Sequence, residues 1–314
     1  MNGRLWKTAA ALTGLTAGAA AAGAWLGYRT AFAADPRRQT PACEIPESAS
    51  FAPYRRQMEQ GIRTVLETPY ERVTIRSYDG CKLVGKFYEG KPGAPLILFF
   101  HGYRSTAERD GSGGFQLCRE RGWHILMPDQ RAHGESEGTA ITFGIRERQD
   151  CLFWAGYAAR RCGPETPVFL WGLSMGAAAV LMAADLPLPA QVRGIVADCG
   201  FDTPAGILKE TIRRRHWPVF PLYPLTALGA RWFGGFRIDA VSALECVKRA
   251  RVPVLLIHGE ADRVVPCAMA RSLRDACGTN GELLTIPGAD HGISWYVDRP
   301  AYQRALLAFM ERNL

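Results

Sequence analysis

At 314 residues, with 47% hydrophobic and 22% charged residues, the chain is long enough to bury a large core, and its composition argues against wholesale disorder. The net charge of +8 is spread along the chain, which contains no C2H2 spacing, RNP-like run or basic heptad helix, so the sequence does not favour nucleic-acid binding. Nine cysteines without a C-x-x-C pair predict mostly buried free thiols rather than a disulfide framework or a zinc site, although one or two disulfides would suit an oxidising compartment.

The first forty residues differ in kind from the rest. Thr8–Leu26 carries no charge, and a helix of that length would span about 28 Å. Residues 1–40 are therefore interpreted as an anchor that places the protein on a membrane. Two other hypotheses remain open: a signal peptide cleaved at the A-x-A-like site Ala31–Ala33, and a disordered or peripheral segment.

Short apolar runs alternate with helical segments through most of the remaining chain. A lead-in over 41–72, with a helix from Tyr54 to Leu66, precedes a predicted domain over 73–314 that opens with a hairpin turning at Asp79-Gly80. Later strands are predicted at 95–100, 123–127, 168–171, 194–198, 253–258 and 282–286, and helices at 115–121, 146–161, 177–184 and 300–313. This pattern predicts an α/β fold, a mostly parallel sheet of about eight strands with helices on both faces.

One stretch interrupts the alternation. Helical segments at Ile207–Trp217 and Leu225–Phe233, joined by a proline-rich turn, predict a helical cap over about 202–250. Phe201–Arg251 holds nine Lys or Arg against four Asp or Glu, most densely at Arg213–Arg215. This charge indicates either a solvated helix face or a membrane-facing, anion-attracting lid.

A candidate nucleophile lies between a predicted strand and a predicted helix. Gly172-Leu173-Ser174-Met175-Gly176 is a G-x-S-x-G pentapeptide, preceded by the apolar run Val168–Trp171 and followed by the alanine-rich run Ala177–Ala184. A serine on such a strand-to-helix turn is lifted out of the sheet, beside a helix N-terminus that can stabilise negative charge. We therefore expect Ser174 to be a nucleophile.

A serine nucleophile needs a base, and the base needs an acid to hold its tautomer. His291 follows the last strand in a turn-forming run, which makes it the candidate base, and Asp262 follows the preceding strand, which makes it the candidate acid. The rival acids are Asp198, Asp202 and Asp290. The remaining histidines are assigned to strands, loops or the cap: His101, His124, His133, His216 and His258.

Together these motifs resemble the α/β-hydrolase fold, and more narrowly the membrane-anchored bacterial serine hydrolases with a short helical cap. The matching pieces are His101-Gly102, Asp129-x-Arg131-x-His133-Gly134-x-Ser136, Gly144 with Glu147 and Asp150, Gly172-x-Ser174-x-Gly176, His258-Gly259-x-x-Asp262 with Val265-Pro266, and Asp290-His291. The resemblance implies an oxyanion hole formed by the backbone N–H groups of Tyr103 and Met175.

The expected activity is hydrolysis of carboxylic esters or thioesters through an acyl-enzyme on Ser174. The expected substrates are small acyl compounds, lipid-like ones among them. That chemistry requires no cofactor, and the absence of an H-E-x-x-H motif disfavours a metal hydrolase. Two alternatives are a peptidase of the same fold that releases small N-terminal residues, and a non-catalytic interaction protein on a hydrolase scaffold.

Overall fold

The computed structural model describes residues 18–35, 41 and 44–314, and its centre is an eight-stranded sheet with the order β1-β2-β4-β3-β5-β6-β7-β8. Strand β2 pairs antiparallel with β1 and β4, and the other neighbours are parallel. The strands are β1 Glu71–Arg76, β2 Lys82–Tyr88, β3 Leu96–Phe100, β4 His124–Pro128, β5 Val168–Leu173, β6 Val192–Asp198, β7 Val254–Gly259 and β8 Gly281–Ile286. The predicted hairpin and mostly parallel sheet are confirmed.

Helices cover both faces of this sheet. The helices of the described chain are α1 18–31, α2 Arg55–Glu67, α3 Ala107–Arg121, α4 Glu147–Cys162, α5 Met175–Ala183, α6 Pro204–Arg214, α7 Val219–Phe233, α8 Ala243–Val247, α9 Cys267–Cys277, α10 Ser294–Val297 and α11 Arg299–Arg312. Residues of α4, α5 and α9 pack in one hydrophobic core, and residues of α3 and α11 pack in the other.

The central strands supply both cores because successive side chains point to opposite faces. In β3, Leu96, Leu98 and Phe100 enter the α5 core, whereas Ile97 and Phe99 enter the α11 core. All five β3 residues are buried, as the continuous apolar run predicts for a parallel strand covered on both faces. The parallel register of β3, β5, β6 and β7 brings their carboxyl ends to one edge, where the candidate site residues follow.

Two helices outside the cap, α3 and α9, show the largest departures from expectation. Helix α3 begins at Ala107, eight residues before the predicted start, since Gly111 and Gly114 weaken the sequence signal for a helix. A Cβ at Gly114 would lie 2.5 Å from Trp171 Cη2, and one at Gly111 would lie 2.2 Å from Met127 Cε, so a side chain at either position would displace a neighbour on the sheet. The amphipathic helix α9 was not predicted.

The cap lies between β6 and β7 and comprises α6, α7 and α8. Helix α6 begins three residues earlier than predicted because Thr203 caps it, accepting a hydrogen bond from Gly206 N, and Pro204 starts its first turn. Helix α7 begins at Val219 and contains Pro224. The proline-rich turn of the prediction therefore overlaps the first part of α7.

The N-terminal segment joins the body of the protein through α1, which packs against the cap. Within the part of the chain that the structure describes, no helix is long and apolar enough to cross a membrane. The predicted apolar run Thr8–Leu26 lies outside the described residues as far as position 17, and Cys43 is also outside them. The eight cysteines that are described are all free.

Candidate active site

The backbone at Ser174 turns sharply from β5 into α5. Ser174 adopts φ 55° and ψ −112°, and its N–H donates to Asp198 O at 2.8 Å. A Cβ at Gly172 would lie 2.3 Å from the carbonyl carbon of Gly176, and a Cβ at Gly176 would lie 2.0 Å from Phe100 O. Only glycine fits at either position, so the two glycines of the pentapeptide allow the turn that presents the serine hydroxyl.

The structure brings the three predicted catalytic residues together. His291 Nε2 lies 2.9 Å from Ser174 Oγ, and His291 Nδ1 lies 2.8 Å from Asp262 Oδ2. Because a carboxylate only accepts hydrogen bonds, Nδ1–H donates to Asp262 and leaves Nε2 to accept the Ser174 hydroxyl. This is the tautomer in which a histidine can take the proton of a serine nucleophile.

Asp262 is buried but has several donors. Its Oδ1 accepts hydrogen bonds from Val264 N at 2.7 Å and Val265 N at 2.8 Å. Burial raises the pKa of this carboxyl, but the His291 charge and the hydrogen bonds from His258, His291 and the backbone outweigh burial, so its pKa falls well below the usual range. Asp262 therefore stays ionised beside the imidazole at neutral pH.

A second histidine, which sequence reasoning placed only at a strand end, also contacts Asp262. His258 Nε2 lies 3.3 Å from Asp262 Oδ2 and 2.9 Å from Val265 O, and both of these atoms are acceptors. Burial lowers the pKa of His258, but the hydrogen bonds to Asp262 and Val265 outweigh burial and raise it. The spacing of four residues from Asp262 around the end of β7 is the signal that could have revealed this contact.

The loop after β3 lies beside the nucleophile. A Cβ at Gly102 would be 3.4 Å from Ser174 Cβ, and Gly102 N donates to Asp110 Oδ2 at 2.7 Å. This bond fixes the turn that precedes Tyr103, one of the two predicted oxyanion donors. The other, Met175, is the first residue of α5, where helix N–H groups have no intrahelical acceptor.

His101 and His133 shape this loop, as expected. Gln130 N donates to His101 Nε2 at 3.1 Å, and Arg104 N donates to His133 Nε2 at 3.0 Å. Burial lowers the pKa of His133 to about 3 and so keeps it neutral as an acceptor.

The rival acids are engaged elsewhere. The Asp198 carboxylate accepts a hydrogen bond from Tyr302 Oη at 3.0 Å, and burial raises its pKa to about 6. Asp290 accepts hydrogen bonds from Arg263 N and from Ser50 Oγ. Asp202 lies at the start of the cap, where Thr203 Oγ1 donates to it at 3.3 Å. Of the four carboxylates considered, Asp262 is the one that contacts the His291 ring.

One group of potential metal ligands occurs among the described residues, and it overlaps this site: Cys199, Asp262 and His291. Metal binding by cysteine uses the thiolate, but burial raises the pKa of Cys199 well above its usual value. The carboxylate and the imidazole already bind each other. The donor set therefore suits a hydrogen-bonded relay better than a metal centre.

Ser174 opens into a cavity of about 540 Å³ between the sheet, α1 and the cap. This volume lies within the range of small-molecule sites. The walls of this cavity are mostly apolar. The apolar residues contributed by the cap and by the loop after β7 are Phe201, Ile207, Leu208, Ile212, Trp217, Leu222, Leu225, Val264 and Val265. The charged residues that line it are Arg104, Arg214 and Arg215, and none of the described lining residues is acidic.

Comparison with known families defines the class of the protein. The family model described as the alpha/beta hydrolase family matches residues 97–303, which is more than half of the chain. The chain therefore belongs to this family, and the resemblance of its motifs to the α/β-hydrolase fold is confirmed. The narrower resemblance to membrane-anchored bacterial serine hydrolases stays a prediction.

Individual relatives are distant. A Bacillus subtilis protein described as uncharacterized is 26% identical over 62% of this chain and 64% of its own length. A lysophosphatidylserine lipase of Danio rerio is 30% identical over 60% of this chain and 49% of its own length. The chain thus spans between about half and two thirds of these two proteins. A bifunctional esterase/perhydrolase of Acinetobacter calcoaceticus is 25% identical, with 75% of this chain and 98% of the relative covered.

Solved structures confirm the fold. An esterase of Pyrococcus furiosus superposes with a TM-score of 0.66 at 22% identity, covering 79% of this chain and 93% of the esterase. Est1E of Butyrivibrio proteoclasticus, solved with bound ferulic acid, has a TM-score of 0.58 at 21% identity, covering 77% of this chain and 98% of Est1E. At these identities the likeness establishes the α/β-hydrolase fold.

Proposed function

We propose that the protein is a serine hydrolase that cleaves carboxylic esters or thioesters through an acyl-enzyme on Ser174. The observation that carries the proposal is the hydrogen-bonded relay from Ser174 through His291 to Asp262, which faces an apolar cavity. A relay of this geometry activates a serine for attack on an acyl carbonyl.

In the proposed reaction, Ser174 Oγ attacks the acyl carbonyl carbon while His291 Nε2 takes the hydroxyl proton. The N–H groups of Tyr103 and Met175 stabilise the oxyanion, and His291 then gives the proton to the leaving alcohol or thiol. A water molecule, deprotonated by His291, attacks the acyl-enzyme and releases the acid. Asp262 remains ionised throughout and stabilises the imidazolium.

The lining of the cavity favours an ester over an N-terminal peptide as substrate. A peptidase that releases N-terminal residues must bind an ammonium group, for which a carboxylate is the natural partner. The charged groups on the described lining are arginines, which would repel that ammonium group and suit an anionic or neutral leaving group. The apolar walls match an alkyl acyl chain, and the lipase among the relatives is in keeping with a lipid-like ester.

The test is a substrate panel on the purified protein. We expect hydrolysis of p-nitrophenyl esters and little hydrolysis of aminoacyl-anilides. Ser174→Ala should abolish the ester activity, whereas Ser272→Ala, at an exposed position in α9, should leave it unchanged. Faster hydrolysis of the anilides would replace the esterase proposal with the peptidase alternative, and no hydrolysis of either class would support the non-catalytic alternative.

We also propose that the cap faces a membrane, as one interpretation of its basic residues suggested. Four cap aromatics are exposed, namely Trp217, Phe220, Trp232 and Phe233, and Phe220 is 80% exposed. Aromatic and basic side chains together suit the interface of an anionic bilayer. Charge reversal of Arg213–Arg215 should weaken co-sedimentation with phosphatidylglycerol vesicles, and unchanged binding would leave the solvated-face interpretation.

A further inference from the structure

Helix α1 lies within the segment 1–40, for which the sequence leaves open an anchor, a cleaved signal peptide and a disordered or peripheral segment. In the structure, five of its residues line the cavity that contains Ser174: Gly23, Leu26, Gly27, Thr30 and Ala31. We propose that α1 is a wall of the acyl-binding pocket, that it sets the preference for acyl-chain length, and that the mature enzyme retains it. The proposal rests on the proposed function, acyl transfer at Ser174.

The C-terminal end of α1 is hydrogen-bonded to Tyr103 and Arg104, in the loop that follows β3. Tyr103 Oη donates to Ala31 O at 2.9 Å, and Arg104 Nη2 donates to Thr30 O at 2.9 Å. The last carbonyls of a helix have no intrahelical donor, so these two side chains supply what the helix end lacks. The residue that carries one proposed oxyanion N–H thus also positions the inner end of α1.

The residues after α1 are built into the body of the domain. The side chain of Phe32 is fully buried, and its ring makes edge-to-face contacts with Phe143 at 5.6 Å and Phe236 at 5.2 Å between centroids. Ala33 forms a β-bridge with Ala140, and Ile141 N donates to Phe32 O at 2.7 Å. The A-x-A-like site is therefore held inside a packed core, which is unlike an exposed cleavage site.

Small residues bring α1 close to the cap. A Cβ at Gly27 would lie 2.7 Å from Thr226 Oγ1 and 2.8 Å from Thr226 Cα, and a Cβ at Gly229 would lie 2.0 Å from Ala24 O. Backbones approach this closely only where side chains are absent. Gly23 and Gly27, four residues apart, put one face of α1 against α7.

Leu26 places a side chain at the outer part of the same wall. It lines the cavity and is 61% exposed, so it lies where the cavity meets solvent. From Gly23 to Ala31 the helix extends the wall by about 12 Å, at 1.5 Å per residue. A short acyl group bound at Ser174 stays near Tyr103, whereas a long one must run along α1 toward Leu26. Loss of the wall should therefore penalise long chains selectively.

The experiment measures kcat/KM for p-nitrophenyl butyrate, octanoate and dodecanoate on the full chain. In Gly27→Leu the side chain would push α1 away from α7, and the ratio of dodecanoate to butyrate kcat/KM should fall at least about ten-fold, at the lower end of what a few apolar contacts contribute to selectivity. The matched control is Gly18→Leu on the same helix, because a Cβ at Gly18 would meet nothing within 4 Å. Its ratio should equal that of the wild type.

Leu26→Ala covers the case in which Gly27→Leu does not fold, because Leu26 is largely exposed. Its ratio should also fall about ten-fold, while Trp25→Ala, at an exposed neighbour that does not line the cavity, should not change it. The proposal that α1 lines the acyl pocket would be refuted if the dodecanoate-to-butyrate ratio of kcat/KM were unchanged in Gly27→Leu and Leu26→Ala. It would also be refuted if intact mass showed that the mature chain begins at Ala34. A wild type that hydrolyses none of the esters and is not labelled by a fluorophosphonate probe would instead overturn the proposed function.

Discussion

The strained backbone of Ser174 has a measurable consequence for stability. Its φ of 55° with ψ of −112° lies outside the regions that residues with a Cβ populate, and such a conformation costs about 1–3 kcal/mol. Ser174→Ala removes the hydroxyl but keeps the Cβ, whereas Ser174→Gly removes both. Glycine ordinarily loses about 0.5–1 kcal/mol relative to alanine through the entropy of the unfolded chain. The balance predicts that the glycine variant is more stable than the alanine variant by about 1 kcal/mol.

The assay is urea unfolding of the two variants, both of which should lack esterase activity. Because both have lost the hydrogen bond to His291, the difference between their free energies of unfolding isolates the backbone strain. The same pair of substitutions at Ser272 in α9 is the control, and there alanine should be the more stable by about 1 kcal/mol. If Ser174→Gly were less stable than Ser174→Ala, as is expected at an unstrained position, the claim that the backbone at Ser174 is strained would be refuted.

Three further predictions follow from buried carboxylates. Asp262→Asn should lower kcat on p-nitrophenyl butyrate by about 10³–10⁴-fold, because the amide favours the wrong tautomer of His291. In the control Asp290→Asn, kcat should stay within about ten-fold of the wild type, and equal losses of kcat in the two variants would contradict the choice of Asp262 as the acid. Arg131 Nε lies 2.6 Å from Asp150 Oδ2, and both side chains are buried. Arg131→Met leaves the Asp150 carboxylate buried without this ion pair, so the free energy of unfolding in urea should fall by about 3–5 kcal/mol, and a fall below about 1 kcal/mol would contradict the prediction. Burial raises the pKa of Asp198 to about 6, so ionising this carboxyl destabilises the fold increasingly from about pH 4 to pH 6. The stability of Asp198→Asn relative to wild type should therefore rise by about 2 kcal/mol between pH 4 and pH 7, and a pH-independent difference would refute the shift.

Much of the fold could be predicted because its signals are local. Strand β3 is a continuous apolar run, and β4 and β7 each contain a run of at least three apolar residues, as is typical of strands buried on both faces of a parallel sheet. Chain order then places the segments after β5, β7 and β8 at one edge, and this is why Ser174, Asp262 and His291 could be proposed together before any distance was known.

The missing parts depend on contacts between distant segments. Glycines in α3 reduce its helix propensity, yet they let the helix pack closely against the side chains of Met127 and Trp171. The apolar residues of α1 are equally compatible with lipid and with a protein surface, so composition alone could not reveal the packing against α7. Gly23 and Gly27, spaced by four, were the available signal, but that spacing does not identify the partner helix.

The most direct test of the central claim is labelling with a fluorophosphonate probe, followed by peptide mass spectrometry. The wild type should carry the label on Ser174, Ser174→Ala should carry none, and Ser272→Ala should be labelled like the wild type. Persistent labelling of Ser174→Ala, or a label mapped to another residue, would contradict the assignment of the nucleophile.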